Sequence, residues 1–139
     1  MNTNSIEAFK HYFKQMDFSN IADLNTIYSD NIVFIDPIHK IQGIENLKQY
    51  FNKLNDNLVE GSFTFTDEDI IENKAYLTWE MNLKLKRPKK NVKALGISVL
   101  TLEEKIIRQR DYFDAGELFY ENVPILGSVI RFLKGKLAN

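Results

Sequence analysis

Apolar positions along this chain change period near its middle, and the change divides it into a helical half and a stranded half. Up to Leu54 they recur at intervals of three and four residues. Ile6, Phe9, Phe13 and Met16 form one stripe and predict an amphipathic helix over about Ser5–Met16, with Tyr12 on the edge of the stripe and His11 on the opposite, solvent side. A second, short helix is predicted over about Asn20–Tyr28. The run Ile32–Asp36 then reads as a buried strand that Pro37 ends, because the residue before a proline is held extended; the chain turns at Pro37-Ile38-His39. Gly43 and Glu45 open a third helix whose apolar face is Ile44, Leu47, Tyr50, Phe51 and Leu54.

The second half follows the two-residue period of a half-buried strand. From Ala75 to Leu85 every odd position is apolar and every even one is polar or amphipathic. Arg87-Pro88-Lys89-Lys90-Asn91 is a polar turn, so Val92–Leu102 returns antiparallel, with Phe63–Ile71 as the strand before the pair and Ile106–Phe113 as the strand after it. Helices first and long strands afterwards predict an α+β domain in which a curved sheet wraps the helices. One domain spans residues 1–139, with a core over 5–113 and an extension over 114–139. In that extension Ile125, Leu126, Val129, Ile130, Leu133 and Leu137 recur at helical spacing behind Pro124, and Arg131, Lys134 and Lys136 suit the negative end of a helix dipole. The extension is expected to cover the mouth of the fold as a lid.

Composition removes several classes of function. The chain has 139 residues, 44% of them hydrophobic, which is enough to bury a core and excludes disorder. With 18 basic and 19 acidic residues it carries no general attraction for nucleic acid or an anionic membrane. The absence of cysteine excludes disulfides, thiolate nucleophiles and thiolate-bound metals. No apolar run approaches the roughly 18 residues that span a bilayer, and Met1–Glu7 has no secretory leader pattern, so a cytoplasmic protein without membrane insertion is expected.

The chemistry centres on Asp36. An ionised carboxyl out of water costs several kcal/mol unless it is satisfied, so a carboxylate at the end of a buried strand either caps its own turn or has a raised pKa that suits proton transfer. His39 follows closely but has no third ligand at recognisable spacing, so no metal site is expected. Trp79, on the apolar face of its strand, is explained by core packing alone.

Helix, helix, strand ending in Asp-Pro, helix and long strands also form a family pattern. It is carried by Tyr28-Ser-Asp-Asn-Ile-Val-Phe-Ile-Asp36-Pro37, by Gly43-Ile-Glu-Asn-Leu and by Ile106-Ile-Arg-Gln-Arg-Asp-Tyr-Phe113. The chain resembles the nuclear-transport-factor-2-like superfamily over residues 5 to about 113, in its ketosteroid-isomerase-like and SnoaL-like polyketide-cyclase branch. The resemblance implies a cone-shaped α+β barrel, its N-terminal helices packed on a strongly curved mixed or antiparallel sheet that encloses a pocket.

It also implies roles. In ketosteroid isomerases the Asp-Pro aspartate is the general base, a place held by Asp36, and a tyrosine of the first helix donates to the developing enolate, a place held by Tyr12. Ser98 stands where those enzymes keep a second, protonated aspartate; a hydroxyl lacks the donation of a neutral acid, which speaks against steroid isomerisation itself. SnoaL-like cyclases use an aspartate late in the sheet and a histidine near the cavity mouth, for which Asp111 and His39 are the candidates. If Ile107 and Phe113 face the cavity, Gln109 and Asp111 do too, while Arg108 and Arg110 face away. Asp36 and Asp111 would then share a pocket lined by Trp79, Met81 and Phe113, one protonated and one charged. Ion pairing with a neighbouring strand is the ordinary alternative for Asp111.

Three functions remain open. The leading one is cofactor-independent proton transfer on a small hydrophobic carbonyl compound, as in an isomerase, cyclase or dehydratase; Asp36 is the base, Tyr12 and Ser98 are donors, and Asp111 or His39 is the acid. The second is a non-catalytic ligand-binding or sensing module. The last is an epoxide hydrolase of the limonene type, which needs an Asp-Arg-Asp set. The resemblance further implies a homodimer through the outer sheet face, where Tyr76 and Thr78 lie.

Overall fold

The structure, a computed structural model, describes residues 4–16, 18–87 and 89–114. The expected tail helix and lid over 114–139 lie outside the described residues, apart from Asp114. Helix α1 spans Asn4–Lys14 and buries Ile6, Phe9, Tyr12 and Phe13 along one side. A 3-10 stretch, Phe18–Asp23, leads into the single turn α2, Leu24–Ile27. Strand β1 follows over Tyr28–Ile35, β2 over Lys40–Gln42 and helix α3 over Ile44–Asp56. The long strands are β3 (Leu58–Ile71), β4 (Lys74–Leu85), β5 (Lys90–Leu102) and β6 (Ile106–Phe113).

These strands form one sheet in the order β2-β1-β6-β5-β4-β3. The sheet is curved but not closed, so the expected cone has two edges, β2 and β3, where a barrel has none. All neighbours are antiparallel except β1 and β6, which run parallel with Phe34 opposite Gln109 and Ile35 opposite Arg110. That pairing sets the end of the Asp-Pro strand beside the last strand of the sheet. Bulges at Thr66 on β3 and at Ile107 on β6 add the local bend that lets the sheet wrap α1 and α3.

The core lies between the concave face and the helices. Phe13 of α1 meets Phe51 of α3 at 5.7 Å and Phe63 of β3 at 5.8 Å between ring centroids, in the tilted and edge-on geometries that aromatic quadrupoles favour. The alternation of β4 is realised, with Ala75, Leu77 and Trp79 buried on the concave side. Gly43 starts α3 at φ +87°, a conformation that a side chain disfavours even where, as here, space for one exists. Among the described residues no helix is long and apolar enough to cross a membrane.

Three expectations shift. Tyr28 begins β1 instead of ending a helix, β2 was not foreseen, and on β6 it is Ile106, not Ile107, that is fully buried. The cause of the last is local: Leu102 pairs Ile106 but Thr101 pairs Arg108, so Ile107 is an extra residue that resets the alternation, while Gln109, Asp111 and Phe113 keep the inner face.

The β3–β4 hairpin turns through Glu72 and Asn73, and Glu72 sits at φ 55°, which only glycine adopts without cost. Glu72→Gly is expected to stabilise the protein by about 0.5–1 kcal/mol, read as a higher urea midpoint at unchanged slope.

Candidate functional site

Inner faces of β1, β4, β5 and β6 meet the helices around a cavity of about 190 Å³. Since an apolar cavity of about 150 Å³ holds benzene, the space suits one small ring with few substituents. Its wall is aromatic, with Phe13, Phe34, Phe51, Phe63, Trp79 and Phe113 among the lining side chains, and Met81 and Leu83 add flexible apolar surface. Polar groups enter from the β1–β2 turn (Asp36, His39), from α3 (Tyr50) and from the paired strands β5 and β6 (Ser98, Gln109, Asp111).

Asp36 is held by its own turn. Oδ1 accepts the backbone N–H groups of Ile38 at 2.8 Å and His39 at 2.6 Å, and the Asp36 N–H donates to the His39 carbonyl at 3.0 Å. An aspartate followed by proline is the residue pair such a turn favours. The His39 ring adds Nδ1 at 3.2 Å from Oδ1 and 3.3 Å from Oδ2. With 6% of its side chain exposed, Asp36 thus combines the capping role with a place on the cavity wall. A neutral His39 that donates from Nδ1 has Nε2 as its basic nitrogen.

Asp111 ends a hydrogen-bond chain that runs one way. The indole of Trp79 can only donate, so Ser98 Oγ accepts from it at 2.9 Å and spends its own proton on Asp111 Oδ1 at 2.6 Å. Gln109 Oε1 accepts the buried Tyr28 hydroxyl, while Gln109 Nε2 lies 3.0 Å from Oδ1 and 3.2 Å from Oδ2 of Asp111. Oδ1 therefore accepts twice, and a proton on this carboxyl belongs on Oδ2. Burial pushes the Asp111 pKa up to about 7; the hydrogen bonds from Ser98 and Gln109 oppose the rise and the charge of Asp36 adds to it.

Register makes this chain of contacts. Ser98 faces Asp111 directly across β5 and β6, and Gly96 is the partner of Trp79 across β4 and β5. A Cβ at Gly96 would stand 2.3 Å from the indole ring, so glycine there lets the ring lie flat on β5 and reach Ser98.

The sequence candidates divide in consequence. Asp36, His39, Asp111, Trp79, Met81, Ser98, Gln109 and Phe113 all line the cavity. Tyr12 does not: it is buried in the core at 9% exposure, and its influence falls on Tyr28. The Ser98 hydroxyl and a Gln109 amide N–H donate to Asp111 and orient the acid. Tyr50 was read as packing only, yet its hydroxyl is the phenol placed near both acids: burial raises its pKa, and Asp36 and Asp111 raise it further. The signal available for it was a tyrosine on a helical stripe otherwise made of aliphatic and phenylalanine side chains. Among the described residues no three His, Asp or Glu side chains gather as a metal site.

A curved sheet holding a pocket over helices, with acids at the strand ends, defines the nuclear-transport-factor-2 type of fold. Within it, a SnoaL-like domain model matches residues 6–109, and the chain belongs to that family. A protein with a ketosteroid-isomerase-like fold from Catenulispora acidiphila, solved in complex with trimethylamine, superposes with a TM-score of 0.74 at 12% identity, covering 86% of this chain and 92% of that one. A protein described as a SnoaL-like polyketide cyclase from Shewanella denitrificans gives 0.74 at 11% identity over 88% and 96%. An LEH-like epoxide hydrolase from M. tuberculosis gives 0.71 at 14% identity over 91% and 92%. At such identities the likeness concerns the fold alone. No curated protein matches the chain in sequence.

Asp111 provides a titration to follow. Trp79 is the single tryptophan, two hydrogen bonds from the carboxyl, so its fluorescence should titrate with a midpoint near about 7 and lose that transition in Asp111→Asn. The raised folded-state pKa stabilises the fold fully below the unfolded value of 3.8, and this contribution is lost as pH rises to about 7. Denaturation of the wild type, compared with Asp111→Asn, should show a loss of roughly 3–4 kcal/mol across that window.

Proposed function

We propose that this protein binds a small hydrophobic carbonyl compound and moves a proton on it without a cofactor. Asp111 is the acid, and the Asp36–His39 pair is the proton acceptor. The observation that supports this reading is the buried Asp111 carboxyl on the cavity wall, whose Oδ1 accepts from both Ser98 and Gln109 while among the described residues Oδ2 has only the longer 3.2 Å Gln109 contact, which favours Oδ2 as the oxygen that carries a proton. A carbonyl oxygen accepting that proton gains charge as the neighbouring carbon loses its hydrogen, the arrangement general acid–base catalysis requires. Tyr50 is a second hydroxyl within the field of both acids and suits the same oxygen.

A non-catalytic binding module is the second reading, supported by the three donors that already occupy Oδ1 of Asp36. The epoxide-hydrolase reading lacks its central residue: Arg108 and Arg110 are exposed on the far side of β6, and no arginine is among the described residues lining the cavity.

Deuterium exchange into the α-position of a panel of small ketones, followed by NMR in heavy water, separates the first two. The protein should accelerate exchange for at least one single-ring ketone, and Asp111→Asn should lower that rate by about 100-fold or more. Because the acid must hold its proton, the rate should fall as pH rises past about 7. Binding without exchange selects the module, and full exchange in Asp111→Asn removes Asp111 from the mechanism.

The assembly proposed with this function is a homodimer through the convex sheet face. Leu95 and Tyr112 are 59% and 49% exposed there, beside half-buried Ile97 and Val99. Light scattering should give twice the chain mass for the wild type and the single-chain mass for Leu95→Arg.

A further inference from the structure

The cavity assigns a charge to its ligand as well as a size. Among the described residues that line it, the ionisable groups are Asp36, Asp111, His39 and Tyr50, with no lysine or arginine. Several of its neutral donors are engaged within the wall: the indole of Trp79 on Ser98, the hydroxyl of Ser98 on Asp111 and a Gln109 amide N–H on Asp111. Beside the Asp111 and Tyr50 hydroxyl groups of the carbonyl end, an occupant meets the Asp36 carboxylate and the electron-rich faces of aromatic rings with no lysine or arginine, a combination that disfavours an anion and favours a cation. Of the two acids, Asp36 is held by backbone N–H groups through Oδ1, while among the described residues Oδ2 has only the 3.3 Å contact with His39 Nδ1 and so keeps acceptor capacity.

We infer that the natural ligand is a small hydrophobic amine bound as its ammonium ion, with the cationic nitrogen at Asp36 and the hydrocarbon part against the aromatic wall. The inference rests on the cavity being the working site, as proposed above, and it makes the substrate an amino-carbonyl compound whose carbonyl end lies at Asp111. Two turn N–H groups and His39 Nδ1 already satisfy the Asp36 carboxylate as hydrogen-bond donors, and a ligand ammonium adds a fixed positive charge where the cavity lining has no lysine or arginine. The size agrees, because a cavity of about 190 Å³ holds a branched or single-ring hydrocarbon group with one polar end.

Three probes that share one hydrocarbon group test the charge: tert-butylammonium, tert-butanol and pivalate. They are titrated into the full-length protein, with binding read from Trp79 fluorescence and confirmed by ligand-observed NMR. The ammonium ion should bind about tenfold or more tightly than tert-butanol, and pivalate should not bind. Asp36→Asn keeps an amide oxygen for the turn N–H groups and removes the charge, so it should bring the ammonium and alcohol to within about threefold of each other. The inference is overturned if tert-butanol or pivalate matches the ammonium ion in the wild type, or if Asp36→Asn keeps the full preference. Its failure is separable from that of the proposed reaction, since α-exchange on neutral ketones that vanishes in Asp111→Asn stands whatever the charge preference proves to be.

Discussion

The site depends on a buried carboxyl toward which the fold directs two donors at one oxygen, Oδ1, and only the longer 3.2 Å Gln109 contact at the other. A half-solvated aspartate would simply ionise and become an ordinary surface charge. Here Asp111 comes from the inner face of β6, Ser98 from the facing position of β5, and the indole of Trp79 from β4, so three adjacent strands must keep register for the arrangement to exist. A slip of one residue in either pairing would turn the acid outward to the face that carries Arg108 and Arg110. Sheet register and acid chemistry are therefore one constraint.

Asp36 shows how a structural and a chemical role coexist. Its turn needs an acceptor at the residue before Pro37, and aspartate meets that need with one oxygen. The other oxygen lies 3.3 Å from the ring of His39, which the same turn positions, and the side chain forms part of the cavity wall. Capping the turn and lining the cavity are compatible because the backbone N–H groups use only one of the two oxygens.

How far the sequence was legible follows from which signals are local. The strict alternation of Ala75–Leu85, the helical stripes of α1 and α3 and the Asp-Pro strand end were readable because each reports burial through its own neighbours. Tyr12 misled, since the edge of a buried stripe can face the core or the cavity, and only the packing of α1 decides between them. Tyr50 was passed over for the complementary reason: its hydroxyl gains meaning only from acids on β6 and on the β1–β2 turn. The pairing of β1 with β6 and the extra residue at Ile107 have no local signature, yet they determine which side chains of the last strand look inward.

The parallel contact between β1 and β6 joins segments far apart in the sequence, with β2, α3 and three long strands between them, and no hairpin can form it. Loop-closure entropy opposes such contacts until the strands between are in place. Asp36 and Asp111 thus share one cavity only through this long-range pairing, which the local β3–β4 hairpin does not supply.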